Sequence, residues 1–528
     1  MRIFLSGLMG AGKSVVAKAL AARTGLALVD VDELLASSSG SSISDIFREQ
    51  GEGAFRAREG AFIEQLIAAQ PRAIFALGGG AVTSSGTRRL LLRTGFVVTL
   101  DASDEELARR VGTGHGRPLL EQGSASVRER LAQLRSERGE AYAECHLRVD
   151  TTQLDPDRVA RAIWDGAAEE PIVVPMGSRT YRVFVGNHNR HTLAARVQEL
   201  GPVPNMLVVS DTTVGPAWGR ALSTQLRSLG QTVTHLELSP GETAKTLESV
   251  DTIWNAALDT GVDRSSLLIG IGGGVVGDLA GFAAATLLRG VRVAHVPTTL
   301  LAMVDSAVGG KTGFDTRHGK NLIGAFHQPS FVVADVHMLS SLPRDERRAG
   351  LGEVVKAAWI DGEAAVAQLE ADADSLARGD EAAMTRAIRM AVQLKARVVT
   401  EDEREAGLRA HLNLGHTLAH AIEASSGYAG IRHGEAVSLG MVAACRVAAR
   451  LGRMPASDAE RAVRLLDQLG LPTAVEPYLT DRVLSFLVAD KKRKGGKVSF
   501  VAPGRPGDIA LIPTLLDDLR GQFKALAP

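Results

Sequence analysis

The sequence predicts an α/β fold in three parts: a P-loop domain with a parallel sheet, a Rossmann-like α/β domain, and a mainly α-helical domain. Three observations predict it. First, 528 residues exceed one ordinary hydrophobic core and suggest roughly three domains. Second, short apolar runs alternate with helical patterns in the first 165 residues and again from residue 206 onward. Third, long Ala-, Leu-, Arg- and Glu-rich segments with helical spacing dominate from about residue 345.

The elements of the first domain follow directly from its apolar runs. Strands and helices alternate, which predicts a parallel sheet. The predicted strands are Ile3–Ser6, Ala27–Val29, Ala73–Leu77 and Phe96–Leu100, and the predicted helices are Ser14–Arg23 and Asp157–Trp164.

A stretch that lacks periodicity and contains Pro171 and Pro175 then predicts a linker. We place the first domain at residues 1–168, the linker at 169–178, the second α/β domain at 179–340 and the helical domain at 341–528. The predicted elements beyond the linker are strands Met206–Ser210, Thr232–Leu238, Leu267–Ile271 and Arg292–Val296, and helices Trp218–Leu229, Glu363–Leu376 and Glu381–Val399.

Composition excludes several classes of partner. Sixty basic residues balance sixty acidic ones, so there is no general electrostatic footprint for nucleic acid. The two cysteines, Cys145 and Cys445, cannot build a disulfide framework. The N-terminus leads straight into a glycine loop, which leaves no room for a signal peptide, and the longest apolar stretch, Leu267–Leu288, carries Asp278 and several glycines. We expect a cytoplasmic protein with small-molecule substrates, no nucleic acid and no membrane.

The first motif is Gly7-Leu-Met-Gly-Ala-Gly-Lys-Ser14, which fits G-x-x-x-x-G-K-[ST] between a predicted strand and a predicted helix. Its glycines let backbone N–H groups surround a polyphosphate, and the helix N-terminus adds partial positive charge. Lys13 would reach the β- and γ-phosphates, and Ser14 would bind Mg²⁺. The motif predicts nucleotide binding but does not identify the reaction.

Other residues bear on the reaction. Asp30 and Asp32 end the second predicted strand, where alternate residues share a face; they could serve Mg²⁺ and a substrate hydroxyl, or one could simply cap a helix. The triplet Gly78–Gly80 would let a substrate approach the backbone. Arg117 follows the glycine-rich segment 112–116, a composition typical of a mobile lid, although an ordinary surface loop explains it equally well.

Together with Phe55-Arg56, Arg117-Pro-Leu and Arg138 four residues before Tyr142, these motifs make residues 1–168 similar to shikimate kinases. The resemblance implies ATP with Mg²⁺, Asp32 as the base on the acceptor hydroxyl, and Asp30 near Mg²⁺ through water. It places Arg110 near the adenine and makes Lys13 and Arg117 catalytic residues. It assigns ATP binding to Gly10, Ala11, Gly12, Lys13, Ser14, Val15, Arg110 and Arg117. It assigns shikimate binding to Asp32, Arg56, Gly78, Gly79, Gly80 and Arg138, with the two arginines on the substrate carboxylate.

The second half offers weaker single signals. The glycine loop Gly270–Gly277 follows a predicted strand and suits a dinucleotide, or is just a tight strand–helix turn. His416 and His420 share a helix face, His433 follows, and Glu353 precedes them. Two imidazoles and a carboxylate are typical of catalytic zinc, but the spacing leaves open whether His420 or His433 is the second histidine. Cations that suit a phosphorylated acid stand in short Gly-, Asn- and Asp-rich segments: Lys311, Lys320, Lys356, Arg409, Lys491 and Lys492.

The ordered combination of these signals makes residues 172–528 resemble 3-dehydroquinate synthases. The segments that carry the resemblance include Gly272-Gly-Gly-Val-Val-Gly-Asp, Val308-Gly-Gly-Lys-Thr-Gly, Asn413-Leu-Gly-His-Thr and His433-Gly-Glu-Ala-Val. The resemblance implies bound NAD⁺ that is recycled, loss of phosphate from 3-deoxy-arabino-heptulosonate 7-phosphate, and ring closure. It assigns the metal, Zn²⁺ or Co²⁺, to Glu353, His416 and His433, and catalysis to Lys311, Lys356 and His420.

The same resemblance supplies two sets of binding residues. Those for NAD are Asp211, Glu242, Lys245, Gly273, Gly274, Val275, Asp278, Thr298, Thr299, Asp305, Lys311 and Lys320. Those for the heptulosonate phosphate are Arg289, Asp305, Lys311, Asn321, Lys356, Arg409, Asn413, His420 and Lys491. The chain departs from the family pattern at Asp315, where asparagine is expected, and at Met303, where glutamine is expected.

Three alternatives remain at this point. The second half could be a related metal-dependent alcohol dehydrogenase, although its loop-borne lysines suit a phosphorylated acid. It could be a sugar-cyclase relative, although Lys356 and Asn413 are of the synthase type. The first domain could be a P-loop module without catalysis, although it retains the acid and arginine residues. We also expect a homodimer formed through the second half.

Overall fold

The computed structural model describes residues 1–40, 43–112, 120, 126–153, 155–427, 430–489 and 497–526. The chain divides into two compact units, Met1–Arg182 and Val183–Pro528. Each unit has its own parallel sheet, as predicted, and each is described separately below.

The first unit contains a five-stranded parallel sheet of order β2-β3-β1-β4-β5. The central β1 carries Ile3, Phe4 and Leu5, which are fully buried, because a parallel sheet is covered by helices on both faces. Predicted strand ends agree with the structure to within one residue. The strands are β1 Arg2–Ser6, β2 Ala27–Asp30, β3 Ala73–Ala76, β4 Phe96–Asp101 and β5 Leu147–Asp150.

Seven helices accompany this sheet in the described residues. The longest, α3, is broken at Gly51, whose φ of 77° is not helical. The helices are α1 Lys13–Thr24, α2 Val31–Ser39, α3 Ile43–Ala69, α4 Ser85–Thr94, α5 Asp104–Val111, α6 Val127–Ala143 and α7 Pro156–Glu169.

A seven-stranded sheet has the order β6-β7-β14-β11-β10-β8-β9, and its β14-β11-β10-β8-β9 pairs are parallel. Its first strand falls inside the predicted linker, where three consecutive apolar residues form a short strand instead of a loop. Strands β12 and β13 form a separate hairpin. The strands are β6 Ile172–Val174, β7 Tyr181–Gly186, β8 Asn205–Asp211, β9 Thr232–Leu238, β10 Leu267–Gly272, β11 Arg292–Pro297, β12 Lys311–Thr316, β13 Gly319–Phe326 and β14 Phe331–Asp335.

Helices α8–α11 flank that sheet, and the region after residue 343 is mainly helical, as predicted. It also contains a hairpin that the sequence analysis did not foresee, β15 Lys497–Pro503 with β16 Ile509–Leu515. The helices are α8 Leu193–Glu199, α9 Arg220–Arg227, α10 Leu247–Asp259, α11 Gly274–Thr286, α12 Arg344–Asp361, α13 Glu363–Arg378, α14 Glu381–Glu401, α15 His416–Ser425, α16 His433–Arg450, α17 Ala456–Gln468, α18 Asp481–Ser485 and α19 Leu516–Lys524.

Two exclusions made from the sequence can be checked here. Cys145 and Cys445 are both buried free thiols. Within the described ranges, every helix is too short or too polar to cross a bilayer.

Candidate active sites

The phosphate-binding loop joins β1 to α1. Gly7, Gly10 and Gly12 have φ values of 134°, 84° and 90°, a region that L side chains rarely adopt. A Cβ on Gly7 would lie 2.1 Å from the carbonyl oxygen of Leu100. Lys13 Nζ donates to the carbonyl oxygen of Gly7 at 2.8 Å, so its charge lies across the loop. The predicted ATP-binding segment 10–15 is therefore a continuous cradle at the N-terminus of α1.

The acidic pair differs from its prediction in one respect. β2 ends at Asp30, and Asp32 lies in the first turn of α2, so the two carboxylates do not share a strand face. The strand stops because Asp30 caps the helix: its Oδ1 accepts from the Glu33 N–H at 3.3 Å. Its other oxygen accepts from Ser14 Oγ at 3.4 Å. Ser14 and Asp30, the residues predicted near Mg²⁺, are thus adjacent.

Asp32 faces the glycine triplet together with a carboxylate that the sequence analysis missed, Glu59. A Cβ on Gly78 would lie 2.8 Å from Asp32 Oδ1 and 2.4 Å from Glu59 Oε1. Burial raises the pKa of Asp32, and neighbouring Lys13 opposes the shift only in part. Burial also raises the pKa of Glu59, whose Oε2 accepts from Arg56 Nη1 at 2.7 Å. Glycine at position 78 therefore leaves room beside the buried Glu59 and the partly buried Asp32.

Arg56 and Arg138 approach the same triplet. A Cβ on Gly80 would lie 1.9 Å from Arg56 Nη2, and Arg138 Nη1 donates to the Gly79 carbonyl at 3.2 Å. Glu52 Oε1 lies 3.3 Å from Arg56 Nη2 and 3.5 Å from Arg138 Nη2. The two arginines predicted to hold a substrate carboxylate thus already flank a carboxylate in this structure.

Arg110 lies against the phosphate-binding loop. Its guanidinium donates to the carbonyl oxygen of Gly10 at 3.3 Å and to that of Thr151 at 2.8 Å. Thr151 Oγ1 in turn donates to the Ala11 carbonyl at 3.2 Å. Arg109 points to solvent, with 72% of its side chain exposed, so of these two arginines it is Arg110 that contacts the phosphate-binding loop. Arg117 lies outside the described residues.

In the second unit, the glycine loop joins β10 to α11. Gly273 caps α11, and a Cβ there would lie 3.2 Å from Thr299 Cγ2. The Thr298 N–H donates to the Gly272 carbonyl at 2.9 Å, while Gly274 and Val275 form the first turn of the helix. β8 pairs with β9 on one side and with β10 on the other, so this loop stands at a switch point of the sheet, where nucleotides bind.

Beside that loop lies a buried ion pair. Lys245 Nζ donates to Asp278 Oδ2 and to Asn321 Oδ1, both at 2.6 Å. Burial raises the pKa of Asp278 to about 6 although Lys245 opposes it. Glu242 and Lys320 form an ion pair at 3.0 Å. Asn321, predicted on the heptulosonate phosphate, is therefore grouped with residues predicted for NAD.

Three further residues are Asp211, predicted for NAD, and the two departures from the family pattern, Asp315 and Met303. Asp211 Oδ1 accepts hydrogen bonds from the N–H groups of Thr213 and Val214, both at 2.8 Å. Asp315, the first departure from the family pattern, accepts from the Asn321 N–H at 2.9 Å and donates its own N–H to the Lys245 carbonyl at 2.8 Å. Met303, the second departure, is buried. The substitution at position 315 thus lies in the cluster around Lys245.

The predicted metal ligands meet at the starts of two helices. Glu353 lies within α12, whereas His416 and His433 are the first residues of α15 and α16. Glu353 Oε1 is 3.6 Å from His416 Nε2 and 3.4 Å from His433 Nε2. This oxygen is buried and has no hydrogen-bond partner among the described residues. The three ligand atoms lie within 4.8 Å of one another, which fits a bound divalent metal.

The structure also separates the two candidate histidines. The His420 ring lies edge-on to His416, with centroids 5.2 Å apart, and it is not a member of the triad. His433 is a member, and its Nδ1 lies 3.3 Å from Glu423 Oε1. Such a partner fixes the ring orientation of a metal-binding histidine. Glu423 was missed from the sequence, although it stands two helical turns after His416.

The charges around the triad favour an anionic carboxylate. Burial would raise the pKa of Glu353, but Lys356 and then His433 outweigh it and lower that pKa to about 2. Burial lowers the pKa of His416 well below its usual value, so this imidazole is neutral. Lys356 Nζ forms an ion pair with Glu353 Oε2. An anionic carboxylate and a neutral imidazole are the forms that bind metals.

Next to Lys356 lies a second buried cation, Lys395. Its Nζ donates to the main-chain oxygen of Asp305 at 2.5 Å and also to the Asp305 carboxylate. Burial would raise the pKa of Asp305, but Lys395 and then Lys356 outweigh it and hold that pKa well below its usual range. Lys395 falls on the apolar stripe of α14 that includes Ile388, Ala391 and Val399; a lysine on that stripe was the signal that the sequence analysis overlooked.

Glu405, also missed, joins two predicted substrate residues. Its Oε2 lies 2.5 Å from Lys311 Nζ, and its Oε1 accepts from Asn413 Nδ2 at 2.8 Å. The buried Arg409 donates from Nη2 to the Gly309 carbonyl at 3.2 Å. Lys311, Arg409 and Asn413 are therefore brought to one place, whereas Arg289 lies in an exposed turn. Lys491 and Lys492 lie outside the described residues.

Comparison with known proteins identifies the families that match each part of the chain. Residues 9–167 match the shikimate kinase family, residues 235–349 match 3-dehydroquinate synthase N-terminal, and residues 350–493 match 3-dehydroquinate synthase C-terminal. A 3-dehydroquinate synthase of Symbiobacterium thermophilum is 43% identical over 355 residues, which cover 66% of this chain and 99% of the relative.

Two solved structures resemble the second unit. A 2-deoxy-scyllo-inosose synthase with carbaglucose-6-phosphate, NAD⁺ and Co²⁺ is 26% identical, with a TM-score of 0.59, over 67% of this chain and 99% of that one. A 2-epi-5-epi-valiolone synthase from Streptomyces hygroscopicus with NAD⁺ and Zn²⁺ is 26% identical, with a TM-score of 0.58, over 66% and 96%.

The sugar-cyclase alternative is thus weaker than the dehydroquinate synthase assignment, at 26% against 43% identity. The P-loop unit and the unit with the metal triad correspond to two enzymes of one pathway. The chain belongs to the 3-dehydroquinate synthase family and carries a shikimate kinase domain in front of the synthase, which makes it a bifunctional enzyme of the shikimate pathway.

Proposed function

We propose that the first unit transfers the γ-phosphoryl group of ATP to the 3-hydroxyl of shikimate at the pocket beside Gly78–Gly80. The observation that carries this proposal is the Glu52 carboxylate between Arg56 and Arg138. An arginine pair that accommodates this carboxylate would accept the carboxylate of a substrate in its place. Asp32, at Gly78, then stands beside the ring of such a substrate.

Each residue of this pocket has a physical role in the proposal. Asp32, with its raised pKa, accepts the proton of the attacking hydroxyl. Lys13 and the loop N–H groups hold the polyphosphate, and Arg117 stabilises the transferring phosphate. Ser14 and Asp30 would hold Mg²⁺, which supplies charge neutralisation between the β- and γ-phosphates when bound.

For the second unit, we propose conversion of 3-deoxy-D-arabino-heptulosonate 7-phosphate to 3-dehydroquinate and phosphate. The observation that carries it is the triad of Glu353, His416 and His433 with Lys356 and Lys395 beside it. A metal-binding group bordered by buried cations suits a substrate that presents hydroxyls and acid groups together. The NAD⁺ in two related structures, with Co²⁺ in one and Zn²⁺ in the other, supports both cofactors here.

The chain's own groups would divide the work in this site. Glu353, His416 and His433 would hold Zn²⁺ or Co²⁺, and the glycine loop with Asp278 and Lys245 would hold NAD⁺. When bound, the metal supplies polarisation of a substrate hydroxyl and NAD⁺ supplies hydride acceptance. Lys311, Lys356, Arg409 and Asn413 orient the carboxylate and hydroxyls. His420 lies next to the triad and moves a proton near the phosphate, which Arg289 and Lys491 bind.

Paired assays on the full chain test both proposals. Shikimate-dependent ADP formation should need Mg²⁺ but not NAD⁺, and phosphate release from the heptulosonate phosphate should need NAD⁺ and a bound divalent metal but not ATP. A full chain that forms ADP equally fast without shikimate would contradict the kinase assignment. Phosphate release that survives complete metal removal would contradict the synthase assignment.

We also propose a homodimer formed through the synthase unit. Leu322, Ile323 and Phe326 on β13 are 42%, 47% and 44% exposed, and such an apolar row on one hairpin is typical of an interface. Light scattering of the full chain should give twice the monomer mass, and Ile323→Glu should shift it toward the monomer. A monomer at micromolar concentration would contradict the proposal.

The domain boundaries at 168, 178 and 340 and a cytoplasmic location remain proposals as well. The buried free thiols of Cys145 and Cys445 are typical of a reducing compartment. Limited proteolysis that cuts beside the buried strand β6, within 169–170 or 175–178, would support the linker, and cell fractionation would test the location.

A further inference from the structure

A second group of metal-binding side chains lies outside both candidate active sites. It consists of His188, His337 and Glu381. One ligand atom from each lies within 4.8 Å of the others. His188 follows β7, His337 follows β14, and Glu381 is the first residue of α14. The three side chains therefore come from distant parts of the synthase unit and converge at one point.

A buried carboxylate fixes the backbone of both histidines. Asp335 is fully buried, and its Oδ1 accepts from the N–H of His188 at 2.8 Å and from that of His337 at 3.0 Å. His188 also has a φ of 58°, a conformation that costs a non-glycine residue free energy and persists where surrounding structure imposes it. The main chain at both histidines is thus fixed by one buried carboxylate.

The side chains are oriented as well. His337 Nδ1 lies 2.9 Å from Glu381 Oε1, and Asn187 Nδ2 donates to the other carboxylate oxygen. The two imidazole centroids are 4.1 Å apart. Trp218 packs edge-on against His337 with centroids 6.1 Å apart. Two imidazole nitrogens and a carboxylate oxygen therefore face a common point with their orientations set by neighbours.

The contacts around His188 leave its ring nitrogen able to bind a cation. Arg190 Nη1 lies 3.2 Å from His188 Nδ1, and because a guanidinium can only donate, that nitrogen presents a lone pair. The same Nη1 also forms an ion pair with Asp335 Oδ2 at 2.8 Å. A metal ion can therefore coordinate His188 Nδ1 while the ion pair between Arg190 and Asp335 remains. Glu381 places a carboxylate beside the two imidazoles.

We propose that His188, His337 and Glu381 bind a divalent transition metal of the Zn²⁺ type, at a site separate from the catalytic triad. Two imidazoles and one carboxylate form the nitrogen and oxygen set that Zn²⁺ prefers, and water completes the coordination. His188 is exposed and Glu381 is 42% exposed, so an ion can enter from solvent.

The bound ion would tie α14 to the sheet. It joins the first residue of α14 to the loops that follow β7 and β14. Lys395 lies on the same helix, fourteen residues after Glu381, or about 21 Å along the axis. The site is therefore placed to set the position of the helix that carries a buried lysine of the synthase pocket, without contacting substrate.

Counting bound ions in the full chain tests this proposal. The protein is stripped with a chelator, loaded with Zn²⁺ without nucleotide, desalted, and its zinc content is measured by mass spectrometry. We expect two ions per chain in the unchanged protein, one in His337→Ala and one in His188→Asn, in which asparagine tolerates the positive φ. His191→Ala perturbs the same loop without removing a ligand and should keep both ions.

The catalytic triad is scored separately with His433→Ala, which should also keep one ion, and with phosphate release. The deciding quantity is the difference of one ion between the unchanged chain and both His337→Ala and His188→Asn. An equal zinc content in those three proteins would overturn the proposal, as would loss of an ion in His191→Ala. Neither result depends on whether the proposed synthase reaction is correct.

Discussion

The kinase unit and the synthase unit each bury an acidic side chain at the centre of a site, but the two acids behave in opposite ways. Burial raises the pKa of Asp32, and Lys13 and Arg56 do not compensate fully. Burial acts in the same direction on Glu353, yet Lys356 and then the hydrogen bond with His433 bring its pKa down to about 2. The neighbouring charges and hydrogen bonds, not burial alone, decide the sign of the shift.

The difference corresponds to two kinds of chemistry. A carboxylate with a raised pKa holds a proton more readily, which suits a group that accepts one from a substrate hydroxyl. A carboxylate with a lowered pKa is anionic at neutral pH, which suits a metal ligand. Replacing Asp32, or the acid that orients His433 beside Glu353, tests this contrast, and the raised pKa of Asp278 extends it to a third acid.

Replacing Asp32 by Asn should have the largest effect. It removes the proposed proton acceptor at nearly constant volume, and kinase kcat should fall by about 10³-fold, as measured by coupled ADP formation. Phosphate release by the synthase should not change. The matched control is Glu33→Gln, an exposed neighbour in the same helical turn. Loss of less than threefold in Asp32→Asn would contradict the assignment of Asp32.

A smaller effect is expected for Glu423→Gln. Glu423 lies 3.3 Å from His433 Nδ1, and loss of such a partner weakens metal binding by about 10–100-fold. Competition with a chromophoric chelator measures the affinity. The exposed Glu401→Gln serves as control and should bind metal as the unchanged chain does. Equal affinities in Glu423→Gln and the control would show that His433 does not need this orientation.

The smallest effect concerns pH. Asp278 has a pKa raised to about 6, so it is ionised above pH 6 and protonated below it. Protonation removes the negative partner of Lys245, and at one pH unit below the pKa only about a tenth of Asp278 is ionised. The KM for NAD⁺ should therefore rise as pH falls from 7 to 5, by a few-fold. In Asp278→Asn this dependence should be absent; its persistence would point to another group.

Local sequence determined the elements that could be predicted. The P-loop motif spans eight consecutive residues between a strand and a helix, and its structure follows from glycine conformation and helix capping alone. Asp32 was placed on a strand because an alternating pattern does not reveal that Asp30 caps a helix. The short strand Ile172–Val174 inside the predicted linker was not predicted, because three residues carry too little periodicity.

The rest of the sites depended on contacts between distant segments. The approach of Lys395 to Asp305 joins residues 90 positions apart, and that of Glu405 to Lys311 joins residues 94 positions apart. No local pattern encodes such pairs. The metal triad needed family resemblance to choose His433 over His420, because only the fold places His433, at the start of α16, 3.4 Å from Glu353 Oε1. The hairpin β15–β16 was missed because its strands lie beyond a long helical region.

The central claim is that one chain holds two independent active sites, and a crossed pair of variants tests it most directly. Lys13→Ala and His433→Ala are prepared in the full chain, and both activities are measured on each. Lys13→Ala should lose kinase activity by at least about 10²-fold and keep synthase activity, and His433→Ala should show the reverse. Loss of both activities in either variant, with the chain still folded by circular dichroism, would contradict the account.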